Sequence, residues 1–245
     1  RPYPYEKLDL IAVPEFLAGA MENPGAVTFA DRVLLMEEKS ISVQQRRNCA
    51  EDIAHELAHM WFGDLVTMEW WDDLWLNESF ASWLGDKTTN QVFPEFNEPV
   101  RELEGTARAL ATDARLSTHA MRQKVDEGVD LDQIFDSLAY EKGQALLGMF
   151  EAWVGPEKFR QGVIAYLKAH EWKNAVAGDL WAALSAVAGQ DVAATMATFL
   201  EQPGVPIVTA EVGAGGTVTL AQRRFLASGD AAPQPLVWRI PVKLK

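Results

Sequence analysis

Apolar positions along the chain come first in short runs, then at helical spacing, then in short runs again. "LDLIAV" (Leu8 to Val13), stopped by Pro14, and "RVLLM" (Arg32 to Met36) predict strands. Between them Asn23-Pro24-Gly25 is a turn signal ahead of a β-branched stretch. From about Ser42 the spacing becomes helical. Ile53, Leu57 and Met60 share one stripe, Ala50, Ala54 and Ala58 lie beside it, and Gly63 is the stop. "LVTMEWW" (Leu65 to Trp71) reads as a strand or extended loop, and a second helix runs from about Leu76 to Thr89, ahead of Pro94 and Pro99.

Residues 95 to 120 are alanine-rich and read as helix until "VDEGVDLD" breaks the pattern. Past Asp136 helices dominate, over about Ala139 to Val154, Glu157 to His170, Gly178 to Val187 and Asp191 to Glu201. Pro156 falls near a first turn, where its missing N–H costs little. Gln202-Pro203-Gly204 closes the helical block, and "PIVTAEV", "GTVTL" and "PLVWRIPVKL" then alternate as strands do. That shift places a boundary near residue 204. A tail of about forty residues is too short for a full sandwich and reads as a cut piece of a second domain.

Composition narrows the partners. A chain of 245 residues with 48% hydrophobic and 23% charged positions is an ordinary globular protein, one large domain or one domain plus part of another. A net charge of −13 argues against a nucleic-acid partner, since phosphate binding needs a basic surface. No run approaches the roughly eighteen apolar residues of a membrane span. The opening Arg1-Pro2-Tyr3-Pro4 has no leader pattern and resembles the interior of a longer protein, so cytoplasmic and exported locations of a soluble protein both stay open. A single cysteine, Cys49, allows neither an internal disulfide nor a thiolate cluster, so any metal here takes nitrogen and oxygen ligands.

Two of the four histidines provide such ligands. His55 and His59 stand four apart in "CAEDIAHELAHMWFGD", and four residues advance a helix by about 6 Å and return to nearly the same face. Glu56 lies about 100° round that helix, beside the ion without ligating it. The pattern is H-E-x-x-H, two ligands and a general base in one turn. Zinc takes a third protein ligand and keeps a fourth position open, and Glu78 in "LWLNESF" is the strongest candidate. The plain alternative is two polar residues on a helix edge and an ordinary helix carboxylate. Asn77-Glu78-Ser79 also matches a glycosylation sequon, which a ligand position in a cleft makes an implausible modification site.

These residues resemble the zinc aminopeptidases of the M1 family, gluzincins with a thermolysin-like catalytic domain. The family's H-E-x-x-H and its later glutamate correspond to His55-Glu56-Leu57-Ala58-His59 and Glu78. Its G-x-M-E-N is similar to Gly19-Ala20-Met21-Glu22-Asn23, and its Y-x-K-G to Tyr140-Glu141-Lys142-Gly143. The three motifs come in family order. The resemblance covers roughly residues 1 to 204 and implies an α+β fold, a mixed β-sheet part and then a mainly helical part. Residues 205 to 245 resemble the start of the β-sandwich that follows. The family's N-terminal β-rich domain and C-terminal helical domain are absent, so the chain looks like a catalytic-domain fragment.

The same resemblance implies one zinc ion held by His55, His59 and Glu78, with Glu56 as general base and Tyr140 as donor to the oxyanion. Glu22 pairs with the free α-ammonium of a peptide, and Gly19 to Asn23 line the substrate. The small side chains of Gly19 and Ala20 also suit pairing with an extended peptide by β-addition. A thermolysin-like endopeptidase is the second enzyme reading, and Glu22 discriminates against it. A relative that also opens a lipid epoxide carries glycine where Ala20 stands. Relatives that serve only as scaffolds have lost motif residues, whereas here the zinc and acid/base positions are present. The chain departs from the family seven positions past Glu78, where Gly85 replaces an acid, leaving Asp86 and Asp64 as alternative acceptors for the outer histidine N–H groups. Tryptophans 61, 70, 71, 75 and 83 around the motif read as core packing.

Overall fold

Strand β3 (Ala26–Ala30) is the centre of a three-stranded sheet, with β1 (Asp9–Val13) parallel on one edge and β2 (Ala20–Met21) antiparallel on the other. The computed structural model describes residues 2–37, 39–229 and 235–242. The Asn23-Pro24-Gly25 turn closes through Ala26 N–H donating to Asn23 O at 2.9 Å, with Gly25 at a φ of 70° that favours glycine. Val27 and Phe29 of β3 are fully buried and meet Met60.

The stretch Arg32 to Met36 is not the strand its composition predicts. Asp31 accepts from Arg32 N–H at 2.7 Å and starts a single helical turn, α1 (Asp31–Leu34). Both edges of β3 are already occupied by β1 and β2.

Helix α2 (Val43–His59) begins at a capping box, in which Ser42 Oγ accepts from Gln45 N–H at 3.1 Å and Gln45 Oε1 accepts from Ser42 N–H at 3.0 Å. Its packing reverses the expectation from its apolar stripe. The buried side chains are Cys49, Glu51, Glu56, Ala58 and His59, while Ile53 and Leu57 are half-buried and line an open apolar groove of about 1210 Å³. The buried face of the helix thus carries Glu51, Glu56 and His59 rather than its larger apolar side chains. Only Met60 of the predicted stripe is in the core.

Strand β4 (Val66–Met68) leads to α3 (Trp75–Val92), which lies along α2. Helix α4 (Glu98–Asp113) is shorter than the stretch read as helical up to residue 120. Asp113 ends it by turning its carboxylate to Thr118 Oγ1 at 2.9 Å and to Gly204 N–H at 2.8 Å. Then come α5 (Gly143–Val154), α6 (Pro156–His170), α7 (Ala177–Ala188) and α8 (Val192–Leu200). A strand missed in the sequence, β5 (Lys173–Ala175), pairs in parallel with β4. These helices enclose the main core, where Trp75 of α3 stacks on Trp181 of α7 at 4.9 Å among Phe80, Leu147, Phe150, Phe159 and Leu184. Burying each such side chain is worth about 1.5–3 kcal/mol. Trp70, by contrast, is half exposed and bonds Val125 O through Nε1 at 2.7 Å.

The tail forms the hairpin β6 (Pro206–Val212) and β7 (Val218–Arg224). Residues 235–242 of "PLVWRIPVKL" are not a strand; Lys243 and Leu244 lie outside the described residues. Pro235 and Pro241 remove ladder donors. Gln222 instead pairs by its side chain with the backbone of Trp238, accepting from its N–H and donating to its C=O, both at 2.8 Å, and the Trp238 ring enters the main core. Among the described residues no helix is long and apolar enough to cross a membrane.

Candidate metal centre

One turn of α2 presents His55 and His59 to the first turn of α3, which presents Glu78. His55 Nε2 and His59 Nε2 lie 3.0 Å apart, and Glu78 Oε2 is 3.3 Å from the first and 3.4 Å from the second. A tetrahedral ion bound at about 2.0–2.1 Å sets its ligand atoms about 3.3 Å apart, so this triangle fits zinc. The donor set fits too, with two imidazoles and one carboxylate and no thiolate. Burial would raise the Glu78 carboxyl, but the two imidazoles bring it down to about 2. Burial lowers His55, whereas at His59 the same burial is overcome by the Glu78, Glu22 and Glu56 carboxylates, which raise it to about 9.

Close contact of the two helices explains the missing acid at residue 85. A Cβ on Gly85 would lie 3.0 Å from His55 N and 3.1 Å from His55 Cα, so α3 crosses the backbone of α2 there. Neither Asp86 nor Asp64 takes an outer histidine nitrogen. His59 Nδ1 faces Phe62 O at 2.9 Å, and His55 Nδ1 lies 3.4 Å from Ser82 Oγ. Asp86 instead accepts from Gln144 Nε2 at 2.6 Å. The Phe62 carbonyl is held by its ring, which stacks on Phe80 of α3 at 4.5 Å. Gly63, predicted as the helix stop, follows with φ 137°, and a Cβ there would come within 3.2 Å of His59 Nδ1.

Glu56 is buried beside this triangle, and Glu22, Glu56 and His59 bring one ligand atom each within 4.8 Å of one another. Burial, with Glu22 and Glu78 adding, pushes the Glu56 carboxyl up to about 8, and burial with Glu22 pushes Asp64 up to about 7. Glu22 Oε1 stands 3.8 Å from His59 Nδ1, at the end of β2. Gly19 precedes β2 and Ala20 opens it; the outer edge of β2 is unpaired among the described residues, and Met21 is partly exposed. Asn23 is engaged inside its turn, donating to Thr28 Oγ1 at 3.1 Å. Asn77 is buried, which leaves no room for a glycan.

Tyr140 arrives from a π-helical turn, Leu138–Lys142, where the sequence reads a plain helix start. Its ring stacks on His55 at 6.0 Å and 25°. Burial first, then Glu78, raises the phenol above its ordinary value. The turn is held from several sides that motif reading missed. Ser79 Oγ donates to Ala139 O at 2.7 Å, and Asp136 Oδ1 accepts from Leu138 N–H at 2.9 Å and Ala139 N–H at 3.1 Å. Asp136 in turn holds His119 Nε2 at 2.9 Å. Lys142 Nζ lies 2.6 Å from Asp113 Oδ2. Of these only Asp136, two and three residues before the amides it caps, carried a local signal.

Comparison with known proteins gives the same direction. The chain matches the Peptidase family M1 domain over residues 1–199. It is 45% identical over 245 residues to a leucyl aminopeptidase of Saccharolobus solfataricus, covering 100% of this chain and 31% of that protein. It is 41% identical over 243 residues to aminopeptidase M1 of Arabidopsis thaliana, covering 99% and 27%. With aminopeptidase 2 of Candida albicans the identity is 44% over 229 residues, covering 93% and 25%. The chain thus spans less than a third of the length of these curated relatives. Matched by the family domain along most of its length, the chain belongs to peptidase family M1.

Proposed function

We propose that the protein containing this chain is a zinc-dependent aminopeptidase that hydrolyses the first peptide bond of peptides with a free amino terminus. The observation that carries this reading is the His55, His59 and Glu78 triangle with Glu56 and Glu22 against it. Zinc held there would act as a Lewis acid that makes water nucleophilic near neutral pH. Glu56, buried beside the ligands, would be kept ionised by the charge of an ion held there; it accepts the proton of the attacking water and passes it to the leaving amine. Tyr140 donates its phenol proton in a hydrogen bond to the scissile carbonyl oxygen as negative charge develops on it. Glu22 pairs with the α-ammonium and so limits attack to the first bond. The unpaired outer edge of β2 supports an extended peptide lying along Gly19 to Met21.

We infer further that residues 1 to 204 are a thermolysin-like catalytic domain and that β6 and β7 open a β-sandwich, other domains lying elsewhere in the longer protein. The aminopeptidase names and lengths of the relatives support this. The test of substrate class uses the intact protein with one equivalent of zinc. A peptide with a free amino terminus is cleaved at its first bond, and its N-acetylated form resists. Equal cleavage of both would favour an endopeptidase.

A further inference from the structure

Lys142 and Asp113 are both buried, 6% and 0% exposed at the side chain, and neither touches the candidate metal triangle. Asp113 is fixed before Lys142 reaches it. Its Oδ1 accepts from Thr118 Oγ1 and from Gly204 N–H, which ties the end of α4 to two other segments and leaves Oδ2 for the ammonium 2.6 Å away. Neither Lys142 Nζ nor Asp113 Oδ2 has a hydrogen-bond partner among the described residues, so the ion pair is the contact each of these two atoms makes. A buried ion pair adds little net stability over apolar packing, and its best-attested use is to fix register.

The register at stake is that of the π turn. Lys142 is its last residue, two past Tyr140, and π turns of this kind concentrate at functional sites because they re-aim side chains. On the opposite side Ser79 holds Ala139 O, so the turn is gripped by α3 through Ser79 and by α4 through Asp113. The exposed Arg108–Glu141 contact at 3.2 Å adds only a solvated pair. We infer that the buried Lys142–Asp113 ion pair is a positioning device for Tyr140, aiming its phenol over His55 and Glu78. This rests on the role proposed for Tyr140 above.

The test is a cycle on the intact, zinc-loaded protein, reading kcat, KM and bound zinc with an amino-acyl amide. Tyr140→Phe lowers kcat by about 10²–10³-fold, the usual loss of an oxyanion donor. Asp113→Asn with Lys142→Met removes both charges together. This pair of changes lowers kcat about tenfold or more by misaiming the donor, with KM and zinc content unchanged. Added to Tyr140→Phe, the pair of changes lowers kcat no further. Losses that simply add, or full kcat in the charge-free variant, overturn the inference. Full kcat in Tyr140→Phe overturns the role of Tyr140, and the inference with it. Lys142→Arg keeps the charge but displaces it, and completes the same cycle where the charge-free variant fails to fold.

Discussion

The hydroxyl of Ser79 donates to the carbonyl of Ala139 at 2.7 Å, although the two are sixty positions apart. Ser79 directly follows the Glu78 ligand candidate, and Ala139 directly precedes Tyr140. One hydrogen bond therefore locks the spacing between the His55, His59 and Glu78 triangle and the phenol. Gly143 makes the contact possible, since a Cβ there would lie 1.7 Å from Ser79 Oγ.

Gly143→Ala is therefore destabilising, against the ordinary preference for alanine inside a helix. Overpacking of this kind costs about 1–3 kcal/mol, measurable by denaturant unfolding. Ser79→Gly in the same chain removes the clash, so the double variant is more stable than the sum of the two single effects. Strict additivity would show that Gly143 and Ser79 do not meet.

Ser82 sits 3.4 Å from His55 Nδ1, a long contact. Loss of an outer partner lowers metal affinity by about 10–100-fold, and a contact this long places Ser82→Ala near the tenfold end. Competition of the protein against a zinc chelator measures it. Unchanged affinity would mean that packing against Tyr140, not Ser82, holds the His55 ring.

Glu51, one turn before His55, sets a pH dependence of stability. Burial and a hydrogen bond with Glu98 push it from 4.5 to about 9, with Asp86 adding and Arg101, 2.6 Å away, opposing. Arg47 Nε lies 3.6 Å from its other oxygen. The folded chain holds this proton where the unfolded chain has released it, so stability falls as pH rises from about 4.5 to about 9. Thermal melts of Glu51→Gln should decline less steeply than wild type between about pH 5 and pH 8. Parallel slopes would contradict the assignment.

Zinc should also stabilise the fold it joins, because the ligands come from two helices. Zinc at about 100 times its dissociation constant adds about 2.7 kcal/mol, lost on chelation. Glu78→Gln should show a much smaller shift. An equal shift in that variant would place the metal elsewhere.

What was legible in the sequence was periodic or local. The four-residue spacing of His55 and His59 puts two imidazoles on one helix face, and the Asn23-Pro24-Gly25 turn announces itself. Contacts that join distant segments left no such trace. The Phe62 carbonyl that faces His59 is backbone, and any residue there would offer it. The Ser79–Ala139 bond depends on α3 meeting a π turn, and a π turn has the same apolar spacing as a helix start. Arg32 to Met36 reads as a strand because composition cannot show that both edges of β3 are taken. Ile53 and Leu57 read as core because apolar spacing does not reveal that Glu56 and His59 will take the buried face.

The central claim is that Glu56 moves the proton in a zinc-dependent cleavage of the amino-terminal bond. The most direct measurement is the turnover of an amino-acyl amide by the intact protein and by Glu56→Gln, each with its bound zinc quantified. The account predicts about one zinc per chain in both proteins and a loss of about 10²–10⁴-fold or more in kcat for the variant. Undiminished turnover in Glu56→Gln at full zinc occupancy would contradict it.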